Sequence, residues 1–266
     1  MNPAELMNPA ELMYDHFSTV ASAYREIRTT DIEPISVISG TLRGLQNVRL
    51  ADVGCGGGRY DLLLSQHIDN LQLTCIDVNE SMLEQASEYL QEHGVTNFKT
   101  VQSTAETLPL ESGSVDGITT FNAVHHFDFV KFVEEAIDAI DKKTGKIFIY
   151  TRTPSQNAES IWGQYFPGFN EREDRLYDLK EMEQMIQSVD GVRLDTAISF
   201  KYEREAQLSE LVEKAQAKHY STFSLYDDDE LDEAVNIFQR AVEFGFDETG
   251  SIQWSDQNTL LILSPI

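Results

Sequence analysis

The chain has 266 residues, 41% of them hydrophobic and 24% charged, which suits one large globular domain or a domain with a sizeable insertion. Acidic residues outnumber basic ones 45 to 20, and the net charge of −25 argues against a nucleic-acid substrate, because an anionic surface repels phosphate backbones. No apolar run reaches the roughly 20 residues that span a bilayer, and the N-terminus lacks the basic and apolar regions of a secretory signal, so a membrane partner is not expected and the protein is read as cytoplasmic.

In chain order, the segment MNPAEL occurs twice before Met13. This duplication, residues 1–13, is set outside the fold as an unstructured start, and residues 14–266 are read as a single domain. From residue 48 short apolar runs alternate with longer amphipathic stretches. VRLADVGC is a buried strand, and a helix starts at Arg59 directly after the glycines. LQLTCIDV is a second strand, followed by a helix that Asn79 or Ser81 caps and Gly94 stops. NFKTVQS and SVDGITTFNAV are the third and fourth strands, a helix covers Asp128 to Ile140, and GKIFIYTR is the fifth strand. Beyond residue 152 an irregular aromatic stretch, SIWGQYFPGFNERE, leads to a helix from Leu179 to Val189 and a strand, GVRLDTAISF. Two helices between about 203 and 245 then precede a closing strand, QNTLLILSPI. The pattern predicts an α/β fold: a Rossmann-like, doubly wound, mostly parallel seven-stranded sheet, with an N-terminal helical segment and a helical insertion between the last two strands. Cys55 and Cys75 are read as reduced core residues rather than a disulfide framework.

The most informative stretch is LADVGCGGGRY, residues 50–60, where a buried strand ends in four glycines. Bare backbone at a strand-to-helix turn admits a ligand closely, although tight packing alone also calls for glycine. A dinucleotide fingerprint needs Gly or Ala at position 59, which is Arg59, and no G-K-[ST] follows to cradle a triphosphate. What remains is D-x-G-x-G-x-G, formed by Asp52, Gly54, Gly56 and Gly58. An acidic residue beside such a turn suits S-adenosylmethionine, whose amino-acid end is cationic at its ammonium and sulfonium.

Several segments in order resemble the class I S-adenosylmethionine-dependent methyltransferases, in particular the small-molecule group similar to UbiE-type enzymes. They are YDHFSTVASAYREIR, LADVGCGGGRY, CIDVNESMLEQA and STAETLPLESGSVDGITTFNAVHHF, covering roughly residues 14–150. The resemblance implies S-adenosylmethionine as cofactor, with S-adenosylhomocysteine as product. It implies cofactor contacts at Asp52, Gly54, Cys55, Gly56, Gly58, Asp77, Val78, Met82, Thr104, Ala105, Glu106 and Asn122, with Asp77 on the ribose hydroxyls. The group carries Asp or Ser where this chain has Thr104. From the residues alone, Asp77 also reads as a helix cap, Met82 as core, Asp116 as a strand-orienting residue and Glu111 as solvated.

Methyl transfer is an in-line displacement, so the protein's main task is to align the acceptor and exclude water. His125 and His126, after the fourth strand, are the candidate general bases, and no metal is expected, since they lack carboxylate or cysteine partners at ligand spacing. Acceptor contacts are expected among Tyr14, Phe17, Tyr24, Arg152, Trp162, Tyr165, Phe166, His219 and Tyr220, with the alternative that these aromatics only fix the insertion. The expected activity is methyl transfer to a small molecule by a monomer or homodimer. The alternatives are a cofactor-binding regulatory module and a methyltransferase acting on a macromolecule.

Overall fold

The strands form where apolar and β-branched residues run together, and their order follows from the helices that cross between them. A computed structural model describes residues 9–20, 29–245 and 251–266. The strands are β1 (Val48–Val53), β2 (Leu71–Asp77), β3 (Phe98–Gln102), β4 (Gly117–Phe121), β5 (Lys146–Thr151), β6 (Val192–Ala206) and β7 (Ile252–Pro265). They make one seven-stranded sheet in the order 3-2-1-4-5-7-6. β1 pairs in parallel with both β2 and β4, and β7 pairs antiparallel with β5. The mostly parallel, doubly wound sheet is therefore as expected, with its switch of direction between β1 and β4.

Two compact units divide the chain. The sheet unit takes Thr29–Thr151, Tyr177–Phe200 and Thr259–Ile266. Its two cores lie on opposite faces: Ile118, Phe132, Ile147, Ile149 and Leu261 on one, and Leu50, Leu73, Phe148, Tyr150 and Leu260 on the other. Ile147 and Ile149 against Phe148 and Tyr150 show the period-two alternation along β5 that makes this possible. Four helices concern the site. They are Glu33–Thr41, Arg59–His67, Glu80–Glu92 and Phe129–Ala139.

The helical unit draws its described residues from Met1–Arg28, Arg152–Leu176 and Lys201–Asn258. Trp162, Phe166, Phe169, Leu211, Phe223 and Phe238 are buried together in its core. Trp162 stacks on Phe238 at 5.1 Å between ring centres, and Phe166 meets Phe223 edge-on at 4.9 Å. The helix Pro9–Val20 belongs to this unit, where His16 Nδ1 bonds Ser224 Oγ at 2.6 Å. That helix begins inside the second MNPAEL copy, four residues before Met13.

The insertion starts later than expected. Residues 203–206 continue β6, and the first insertion helix is Leu208–Gln216. The reason is the alternation in KYEREA: Tyr202 and Ala206 are buried while Lys201, Glu203 and Glu205 are exposed, a period of two that suits a strand edge and not a helix. β7 likewise begins at Ile252 and not at 257.

Candidate functional site

The glycine turn follows β1 directly and leads into the helix Arg59–His67. Gly54, Gly56 and Gly58 all have positive φ, at +72°, +54° and +80°. Two of them answer to the protein's own packing. A Cβ on Gly54 would stand 2.6 Å from Ala123 Cβ and 3.0 Å from Phe127 Cζ. One on Gly58 would stand 3.2 Å from Cα and Cβ of Ala86, in the helix Glu80–Glu92. The close helix contact that a dinucleotide fold makes one residue later is made here at Gly58. Arg59 instead donates from Nη1 to Thr29 O at 2.8 Å and to Thr30 Oγ1 at 2.6 Å.

Asp77, the last residue of β2, ties the turn to the sheet. Its Oδ2 accepts from Gly56 N and its Oδ1 from Asn79 N, each at 2.9 Å. Burial raises its carboxyl above the usual range, against the pull of the amides of Asn79, Gly56 and Val78. The helix cap itself is Asn79, whose side chain accepts from Met82 N at 3.1 Å, so Asp77 is not the cap. Val78 is exposed just beyond the strand, and Met82 is buried on the next helix. Asn122, at the end of β4, takes φ +53°, a backbone conformation that L side chains seldom adopt, and its N–H donates to Tyr150 O at 2.7 Å. The ends of β1, β2 and β4 thus converge on a turn with little side chain, at the carboxyl edge of a doubly wound sheet, the edge such sheets offer to ligands.

The comparisons with known proteins agree with this geometry. Residues 50–143 match the family model described as a methyltransferase domain. Residues 50–143 therefore carry a methyltransferase domain. An uncharacterized methyltransferase of Bacillus subtilis, YcgJ, is 31% identical over 134 residues, which is 50% of this chain and 52% of that protein. A crystal structure of YcgJ superimposes with a TM-score of 0.60 at 21% identity, covering 87% of this chain and 97% of that one. A ubiquinone biosynthesis O-methyltransferase of Xanthomonas oryzae is 32% identical over 123 residues, 45% of this chain and 50% of that enzyme. The chain spans about half the length of these curated relatives.

Within the methyltransferase domain the remaining candidates fall into different settings. Asp52 is buried, and its Oδ1 accepts from Thr119 Oγ1 at 2.7 Å; burial, then nearby Asp61 and Asp77, pushes its carboxyl well above the usual range. Cys55 is half-buried and Cys75 buried, and neither is in a disulfide. Hydrogen bonding with Cys75 and burial push the Cys55 thiol up. Thr104 is exposed and Ala105 is buried in the core. Glu106 Oε1 accepts from Asp128 N at 2.8 Å, so this carboxylate already serves the start of the helix Phe129–Ala139. Asp116 accepts from Arg49 N at 2.8 Å and from Arg49 Nη2 at 2.7 Å, the strand-orienting role read from the sequence.

His125 and His126 share a 3₁₀ turn after β4, half-buried, with ring centres 4.1 Å apart. Among the described residues no group of three or more His, Cys, Asp or Glu is arranged to hold a metal ion. In the helical unit Trp162, Phe166 and His219 are buried: His219 packs 5.1 Å from Trp162, and its Nδ1 lies 2.9 Å from Lys214 O. Tyr14 is exposed, while Phe17, Tyr165 and Tyr220 are half-buried. Arg152 reaches Asp256 at 3.3 Å and stands 6.0 Å from the Tyr220 ring. Tyr24 lies outside the described residues.

Sequence reasoning missed Asp61. It stands in the first turn of the helix after the glycines and is fully buried. The available signal was an acid at a position where helical spacing from Leu64 and Ile68 demands an apolar residue.

Proposed function

We propose that this protein transfers a methyl group from S-adenosylmethionine to a small-molecule acceptor. The observation that carries the reading is the glycine turn held to β2 by both oxygens of Asp77, at the carboxyl edge of a sheet whose residues 50–143 match a methyltransferase family. The ammonium and sulfonium of the cofactor suit a turn with Asp52 and Asp77 beside it, and bare glycine backbone leaves room for the amino-acid end. Asp77 holds the ribose hydroxyls in addition to its backbone bonds, each carboxylate oxygen having more than one lone pair to offer. Val78 and Met82 contact the adenosine, with Cys55, Thr104, Ala105 and Asn122 around it. Glu106 contributes by shaping the 104–106 segment, since its carboxylate is engaged with Asp128.

When bound, the cofactor supplies the electrophilic methyl group. The chain's own work is to align the acceptor within about 3–3.5 Å of that carbon and to keep water out. An acceptor hydroxyl needs a base, and His125 or His126 takes that proton; a carboxylate or thiolate acceptor needs none. A small-molecule acceptor is supported by the ubiquinone biosynthesis O-methyltransferase among the relatives. The net charge of −25 supports the same reading against nucleic acid.

Calorimetry with S-adenosylmethionine, S-adenosylhomocysteine and NAD, followed by incubation with methyl-labelled cofactor and a metabolite extract, tests both parts. Heat from the two sulfur ligands and a labelled small product are expected. Binding of NAD alone overturns the cofactor, and label appearing only in protein or RNA overturns the acceptor class.

A further inference from the structure

Asp61, in the first turn of the helix after the glycines, has zero exposure, and the groups that reach its carboxyl are the Cys75 thiol and its own backbone amide. The groups that face it come from three other elements. Asp52 stands on β1, Cys75 and Asp77 on β2, and Cys55 in the turn, the last hydrogen-bonded with Cys75. The cation nearest in sequence, Arg59, directs its Nη1 to Thr29 and Thr30. Among the described residues no Lys, Arg or His forms an ion pair with Asp52, Asp61 or Asp77.

An ionised carboxylate buried with no cation beside it is strongly disfavoured, and neighbouring buried carboxyls disfavour each other's charge. With no cation bound, at least one of these carboxyls therefore stays neutral. Burial, with Cys75 and Asp77 beside it, holds Asp61 well above the usual carboxylate range. A cation arriving above the group reverses the balance, because an opposite charge nearby favours the ionised form. Linkage then requires that the ligand expel a proton and that a rise in pH tighten the ligand.

We propose that Asp61, together with Asp52, holds a proton under the glycine turn and releases it when a cationic ligand occupies that turn, so that cofactor uptake and proton release are one coupled event. The carboxyl O–H bond breaks, both electrons stay on oxygen, and the proton passes to buffer while the new negative charge balances the ligand's ammonium across the turn. Asp61 is thus a positioning residue, acting through Asp52 and the turn. The inference rests on the cofactor reading given under Proposed function.

The test is titration calorimetry of the full chain with S-adenosylmethionine and with S-adenosylhomocysteine, which keeps the ammonium but lacks the sulfonium. Work at pH 6.5 keeps the ligand's own amine charged, since α-amino groups titrate at about 7.7–8.0. The slope of observed heat against buffer ionisation enthalpy counts protons, and release of about half to one proton per ligand is expected, matched by the slope of log Kd against pH. Asp61→Asn, which cannot ionise, is expected to fold and to lose more than half of that release; Asp61→Thr serves if the amide is poorly tolerated. Binding with no buffer dependence, or release unchanged in the folded variants, overturns the proposal while leaving the cofactor reading intact. No heat from either ligand overturns that reading, and the proposal with it.

Discussion

At Gly54 the backbone has φ +72° and an added Cβ would stand 2.6 Å from Ala123 Cβ. Gly54→Ala therefore meets two penalties. The left-handed backbone costs about 1–2 kcal/mol. Overpacking against the segment after β4 adds about 1–3 kcal/mol. Urea unfolding is expected to show a loss of about 2–5 kcal/mol, before any ligand is considered. A second residue-scale outcome concerns pH. Asp52 and Asp61 have folded-state carboxyls raised well above 3.8, so over that interval the native state binds more protons than the unfolded one. Stability contributed by these groups therefore declines as pH rises from about 4 through their folded values. Asp128, Asp138 and Asp195 are shifted down and act oppositely, losing their contribution as pH falls below 3.8. Thermal melts of Asp61→Asn are expected to decline less between about pH 5 and 8 than those of the parent.

Among the elements, the helix Phe129–Ala139 is the one whose start joins structure to site. Asp128 caps it by accepting from Lys131 N at 3.2 Å, and Glu106 holds Asp128 N in turn. Asp128→Ala is expected to cost about 1 kcal/mol, the usual worth of such a cap. Glu106→Ala leaves the Asp128 N–H to solvent and loosens residues 104–106, so amide exchange is expected to quicken at both segments. Faster exchange at neither would show that the bond is not made in solution. The closing elements teach a related lesson. Helical propensity in EREAQ suggests a helix from 203, yet the strand continues to Ala206 because Tyr202 and Ala206 bury on one face. Pairing along a long strand outweighed local preference.

For the whole molecule, charge is the dominant global term. A net charge of −25 repels itself in dilute buffer, where the Debye length is about 30 Å at 0.01 M. At about 1 M salt that length is roughly 3 Å, so the melting temperature is expected to rise between the two conditions. A melting temperature flat across that range would show that the acidic groups lie too far apart to matter. Ion pairs are a lesser factor in this, since pairs such as Lys142–Asp138 and Lys131–Asp128 are solvent-exposed.

Sequence alone determined the alternation of strands and helices from Val48 to Thr151, the glycine turn and the acid at the end of β2. Those signals are local: period-two and period-3.6 burial, a run of glycines, and cap residues within three positions of a helix start. Tertiary structure decided which groups meet. The partner of Gly54 is Ala123, that of Glu106 is Asp128, and that of Asp77 is the Gly56 amide 21 residues earlier. It also decided that Trp162, Phe166 and His219 are buried in the core of the helical unit, and that Asp61 is enclosed with Asp52 and Cys75. These outcomes depend on strand order and helix approach. Both are set by burying both faces of one sheet at once, which no window of neighbouring residues records.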